Sequence, residues 1–236
     1  DRVRIGSLVY CAGYRHPAVL ANAIATIDHL SGGRTELGLG AGWSQAEYDA
    51  YGIPFGTPVQ RLDLLEEYAR VVRSLLRSET TDHRGEHFAL TDARCEPRPL
   101  QPSLPIWIGG TGERRTLRIA AELADGWNVP FISPQDFRRK RDVLHLHCEA
   151  VGRDPAEIRC AVNVGLAWDE ASLIAQFGAI AEYVRPGVLG GSDDQVLEGI
   201  AAYVDAGADQ VNIAARAPWD MDGIERLAPL LRSAAG

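Results

Sequence analysis

Six short apolar runs punctuate the chain, at residues 3–11, 35–39, 106–109, 126–129, 158–167 and 210–214. Most are apolar throughout rather than alternating, the pattern of strands buried on both faces of a parallel sheet. Between them apolar residues recur at three- and four-residue spacing. Leu62, Leu65, Ala69, Val72 and Leu76 mark a helix over 59–76, and Leu117, Ala120, Ala121 and Ala124 mark one over 113–124. A helix over 17–30 opens at Pro17 and stops at Ser31-Gly32-Gly33. Others are predicted over 134–151, 172–184, 193–206 and 224–234.

Strand alternating with helix predicts an α/β fold with a parallel core. Residues 80–105 break the rhythm with turn residues and prolines at 97, 99, 102 and 105. They predict an excursion between helix and strand, with a short hairpin around Phe88. No linker or low-complexity tract interrupts the chain, so residues 1–236 read as a single domain. A doubly wound dinucleotide fold would place G-x-G-x-x-G after its first strand. Here that strand ends in "YCAGYRHP", and the glycine loops follow the second and third runs instead. The spacing suits a (β/α)8 barrel lacking its first two β/α units, since a complete barrel takes about 250 residues. The single methionine, Met221, and the strand pattern that begins almost at Asp1 also predict that an N-terminal piece is missing.

Composition narrows the partners. A net charge of −8 tells against nucleic acid and anionic membranes. No apolar run approaches the roughly 20 residues of a membrane span. Cys11, Cys95, Cys148 and Cys160 are scattered without C-x-x-C, so neither a disulfide scaffold nor a metal site is expected, and a cytoplasmic setting is.

The barrel reading puts chemistry at the C-terminal ends of the strands. That gathers residues 8–13, 40–44, 109–112, 127–130 and 212–216. In "PIWIGGTGERRTL" a buried strand meets a helix through Gly109, Gly110, Thr111 and Gly112. Backbone amides there, with a helix N-terminus behind them, suit a phosphate. The plainer reading is a tight turn with Thr111 as its cap. "LGLGAGW" offers a second clearing at Gly38, Gly40 and Gly42 with Trp43 as a wall. It reads equally as small residues packed against large neighbours. Arg15 and His16 in "YRHP" read as a pair contacting an anion or supplying an acid, or as a solvated helix start. His83 with His87, and the His145–Cys148 segment, do not have convincing metal spacing. "FRRKR" at 137–141 reads as a solvated helix face. No G-x-S-x-G or P-loop lysine occurs. The chain offers a cradle more than a reactive side chain, which fits an enzyme whose cofactor does the chemistry.

In order along the chain, "RHPAVLA", "LSGGR", "LGLGAGW", "YGIPF", "PIWIGGTGERRTLRIAAELADGWN" and "HCEAVGRDPAEI" resemble the luciferase-like monooxygenase family, and within it the coenzyme F420-dependent oxidoreductases. The resemblance covers nearly the whole chain. It implies a (β/α)8 TIM barrel of the bacterial luciferase-like type whose first two units have no counterpart here. It implies a non-proline cis peptide at Leu8–Val9 backing the cofactor ring, and a ring edge met by Gly40, Ala41, Gly42 and Trp43. It implies a cofactor phosphate on Gly110, Thr111 and Gly112, flanked by Trp127 and Asn128. Some deazaflavin-dependent dehydrogenases carry a glutamate acid where this chain has Trp43, which tells against a sugar-phosphate dehydrogenase. Glu47, one turn on, is not assigned that role, and His16 is left as the candidate acid.

Three functions follow. The first is hydride transfer between reduced coenzyme F420 and a small organic substrate. The second is an FMN-dependent monooxygenase working with oxygen and a partner reductase. The third is a non-catalytic barrel. The substrate is expected to be shaped by the excursion and by residues 186–192, and a homodimer is usual for families of this kind.

Overall fold

A computed structural model describes residues 3–217 and 219–234. Asp1, Arg2, Pro218 and the last two residues, which the single-domain reading includes, lie outside the described residues. The backbone divides into two compact units, one running to Trp127 and including His147–Ile158, the other holding Asn128–Leu146 and the chain from Arg159 onward.

The first unit opens with β1 (Ile5–Cys11), α1 (Pro17–Ser31) and β2 (Thr35–Gly40), then α2 (Gln45–Ala50) and α3 (Pro58–Arg77). The excursion is a hairpin of β3 (Thr81–Arg84) and β4 (Ala89–Ala93), antiparallel as expected, with Phe88 just ahead of β4. β5 (Ile106–Gly109) and α4 (Thr116–Leu123) follow, and β6 (Gly126–Pro130) begins in this unit. β1 pairs in parallel with β2, and β2 with β5, in the register Leu37 to Ile106 and Leu39 to Ile108. All four of those side chains are fully buried. The apolar runs of β2 and β5 therefore mark strands covered on both faces, whereas that of β1 does not, with Ile5 and Leu8 exposed.

Two anchors fix the parts that lead to the strand ends. Glu67 on α3 accepts from His83 Nε2 at 3.0 Å and from the backbone N–H groups of Glu86, His87 and Phe88. A single carboxylate thus holds the hairpin tip. Glu66 on α3 pairs with Arg70 on the same helix and with Arg118 on α4, and Glu122 pairs with both arginines. Arg115 reaches back to Asp63. This network locks α4, and with it the loop before α4, against α3.

The helix expected over 113–124 starts three residues late. Leu117 N–H bonds back to the Gly112 carbonyl, and His147 Nε2 bonds the Glu113 carbonyl at 2.8 Å, so residues 113–115 turn rather than coil.

The second unit takes up the end of β6, with Phe131 N–H bonded to the Asn163 carbonyl, and continues through α5 (Pro134–Ala150) and β7 (Arg159–Leu166). Then come α6 (Glu170–Phe177), α7 (Ala181–Val184), β8 (Val188–Leu189), α8 (Asp193–Asp205), β9 (Gln210–Ile213) and α9 (Met221–Ala234). β7 pairs in parallel with both β8 and β9. The helix expected over 172–184 is two pieces, because Gly178 has φ +50° and ends the first. β8, missed in the sequence, is only two residues long. "FRRKR" is not a purely solvated face. Phe137 is fully buried, and Arg138 and Arg141 bond the carbonyls of Asp205 and Ala206 at the end of α8.

Candidate active site

Three strand ends of the first unit meet on one side chain. A Cβ built on Gly40 would lie 2.5 Å from a Val9 methyl, and one on Gly109 2.8 Å from the other. A Cβ on Gly38 would meet the Ser7 carbonyl at 2.2 Å and one Val9 methyl at 2.9 Å. Gly38 and Gly40 thus pack against β1, which is the packing reading of "LGLGAGW". The Leu8–Val9 peptide is cis, as the resemblance implies. Leu8 is exposed beside it.

Gly42, at φ +81°, makes room for a different neighbour. A Cβ there would come 2.6 Å from the Tyr48 hydroxyl and 2.7 Å from Cys11 Sγ. Those two atoms contact each other at 2.9 Å. Tyr14 donates to Glu47 at 2.8 Å, and its ring packs on Tyr48 with centroids 4.9 Å apart. Desolvation and the Glu47 carboxylate push the Tyr14 hydroxyl up to about 12, and burial with the Cys11 contact pushes Tyr48 up as well. Both stay protonated near neutrality. Trp43 is 85% exposed, so it forms no wall over Gly40 and Ala41.

The loop after β5 is open on its outer side. Gly110 has φ +137°, Thr111 and Gly112 are exposed, and the Gly112 N–H pairs with no described residue. α4 begins behind it with no side-chain cap. Trp127 is fully buried and donates its indole N–H to the Gly110 carbonyl at 2.9 Å. It shapes the loop from within rather than facing a ligand beside it.

Asn128 belongs to the second unit, where it is buried. Asn163 Oδ1 accepts from Asn128 Nδ2 and Asn212 Nδ2, each at 3.0 Å, and Gln210 donates to Asn212. This inward amide chain joins β6, β7 and β9. Sequence reasoning missed it, although an asparagine recurring inside three otherwise apolar runs was its signal.

His16 caps α1, with Nδ1 accepting the Ala18 N–H at 3.2 Å. A neutral ring so bonded carries its proton on Nε2. Phe88 from the hairpin meets His16 edge-on at 5.3 Å and Tyr68 at 5.9 Å. Neither Phe88 nor Tyr68 was named as a site residue, because both lie more than fifty residues from His16 in the chain. Among the described residues no group of three potential metal ligands occurs. No described helix is long and apolar enough to cross a membrane.

Known proteins resemble the chain over most of its length. An uncharacterised protein of Mycobacterium tuberculosis is 32% identical over 207 residues, 87% of this chain and 69% of its own. A phthiodiolone/phenolphthiodiolone dimycocerosates ketoreductase of the same organism is 33% identical over 170 residues, 70% of this chain but 43% of its own. Among solved structures, an F420-dependent secondary alcohol dehydrogenase superposes with a TM-score of 0.80 at 17% identity, covering 90% of this chain and 74% of its own. The coenzyme F420-dependent tetrahydromethanopterin reductase of Methanopyrus kandleri gives 0.76 at 23%, covering 90% and 77%. An EDTA monooxygenase of Chelativorans gives 0.76 at 20%, covering 99% and 74%. These likenesses show the fold, the mostly parallel α/β arrangement of luciferase-like TIM barrels. The sequence profile described as luciferase-like monooxygenase matches residues 1–183, and the chain belongs to that family.

Proposed function

We propose that the protein is an oxidoreductase that moves a hydride between reduced coenzyme F420 and a small organic substrate. The observation that carries the reading is the loop at Gly110, Thr111 and Gly112. It has an exposed Gly112 whose amide pairs with no described residue and an uncapped helix behind it, a donor set that suits a phosphate. The F420-dependent enzymes that share the fold support the choice of cofactor.

Coenzyme F420 held there would supply the hydride. The remaining work falls to residues of this chain. Gly112 and the first turn of α4 would bind the phosphate. Val9, seated on Gly38, Gly40 and Gly109, would give the flat ring an apolar floor beside Leu8. Gly40, Ala41 and Gly42 would border its edge, while Trp43 at 85% exposure is free to close over a ligand only from solvent. His16 Nε2 carries the proton that a carbonyl oxygen needs as its carbon takes the hydride, giving the alcohol. The enclosing barrel is one domain in this reading, and its homodimer is a separate expectation.

Fluorescence titration of the full protein with coenzyme F420 and with FMN tests the reading. F420 binding that Gly112→Glu removes, with the circular dichroism unchanged, is the expected result. Binding of FMN alone would move the function to a monooxygenase, and binding of neither would leave the loop as architecture.

A further inference from the structure

We propose that Arg15 and Tyr68, beside His16, form a subsite for a carboxylate on the substrate. The inference rests on the oxidoreductase reading for the word substrate, and it narrows the substrate class to small anionic carbonyl or unsaturated acids.

Arg15 lies just past the C-terminal end of β1 and is exposed. Its guanidinium stacks 5.0 Å from the Tyr10 ring centroid, and it makes no ion pair or side-chain hydrogen bond among the described residues. Glu47 accepts from Tyr14, and Glu67 is held by His83 and the hairpin amides. His16, the next residue, has Nδ1 occupied by the Ala18 amide, which leaves Nε2 for the substrate's carbonyl oxygen. Tyr68 adds a second donor. Its hydroxyl is buried and has no hydrogen-bond partner, and Phe88 packs edge-on against both Tyr68 and His16.

A hydroxyl buried without a partner is destabilising. It is satisfied by an acceptor that the described residues do not supply. Arg15 also acts on this hydroxyl electrostatically. Burial drives the Tyr68 pKa up, and the guanidinium draws it part of the way back. The unpaired Tyr68 hydroxyl and the Arg15 guanidinium can both donate to an acceptor, and a planar guanidinium matches a carboxylate in particular. The positive charge of Arg15 would also draw a small anion to this strand end in a chain of net charge −8.

The test is equilibrium binding of pyruvate, 2-oxobutyrate and crotonate to the full protein at fixed ionic strength, each against its methyl ester. At least one acid is expected to bind, and its ester at least tenfold more weakly. Arg15→Gln should lower the acid's affinity tenfold or more and leave coenzyme F420 affinity within twofold. Tyr68→Phe should lower it severalfold with the fold retained by circular dichroism. Equal binding of acid and ester, no binding of any acid, or an Arg15→Gln variant that binds acids normally would overturn the subsite. So would a loss in Arg15→Gln that falls on the cofactor instead. Arg15-dependent acid binding without F420 binding would keep the subsite and remove the oxidoreductase reading. F420 binding without acid binding would do the reverse.

Discussion

At the scale of single residues, most glycines of the two loops answer to a neighbour that can be named. Gly40→Ala places a methyl 2.5 Å from Val9, and overpacking of this kind costs about 1–3 kcal/mol. A denaturant melt should show that loss, and Val9→Ala in the same chain should recover part of it, the two changes being strongly non-additive. Tyr203 offers a quieter check. Its hydroxyl donates to the Ile132 carbonyl at 2.6 Å, and burial raises its pKa to about 12. Tyr203→Phe should cost roughly 0.5–1.5 kcal/mol with no change in any binding measured on the first unit. The sequence made these glycines legible as cleared space but not what clears it, because Val9 reaches Gly109 across a hundred residues of chain.

At the scale of elements, the hairpin hangs on Glu67. Burial pushes that carboxyl up, but the His83 bond and the amides of His87 and Phe88 outweigh it and hold it below the usual carboxylate range. A carboxyl with a depressed folded pKa gives stability that is present above its unfolded value, about 4.3, and lost as pH falls through the folded one. Amide exchange at residues 86–88, corrected for intrinsic rate, should therefore quicken below about pH 4. In Glu67→Gln it should already be fast at neutral pH. The alternation of strands and helices was readable because burial on both faces leaves an unbroken apolar run. The start of α4 was not, since Glu113, Arg114 and Arg115 have the residue types of a first helical turn while His147 holds the Glu113 carbonyl outside the helix. β8 escaped for want of length, and the break after α6 because Gly178 sits in an otherwise helical pattern.

For the whole molecule, the ionised carboxylates share a sign. Glu66, Asp136, Asp169, Glu170 and Glu182 are all held below their ordinary values. At Glu66 the arginine bonds outweigh its desolvation, and at the others hydrogen bonds from Arg139, Ser172 or Arg185 lead. The thermal midpoint should stay level down to about pH 4.5 and fall steeply below it, as these groups and Glu67 take up protons. A midpoint that holds to pH 3 would contradict the arrangement. The family and the glycine loop after β5 were legible in ordered motifs. The cluster around Phe88 was only half so: His16 stood out in the sequence, whereas Tyr68 and the hairpin reach it by folding.

The seating of Val9 has a consequence for descent. Residues 40 and 109 crowd the two Val9 methyls, so a lineage that acquires a side chain at either must shorten residue 9 in step. Across an alignment of relatives these three positions should drift as a correlated block, and a sequence that breaks the correlation would mark a strand end that has been repacked.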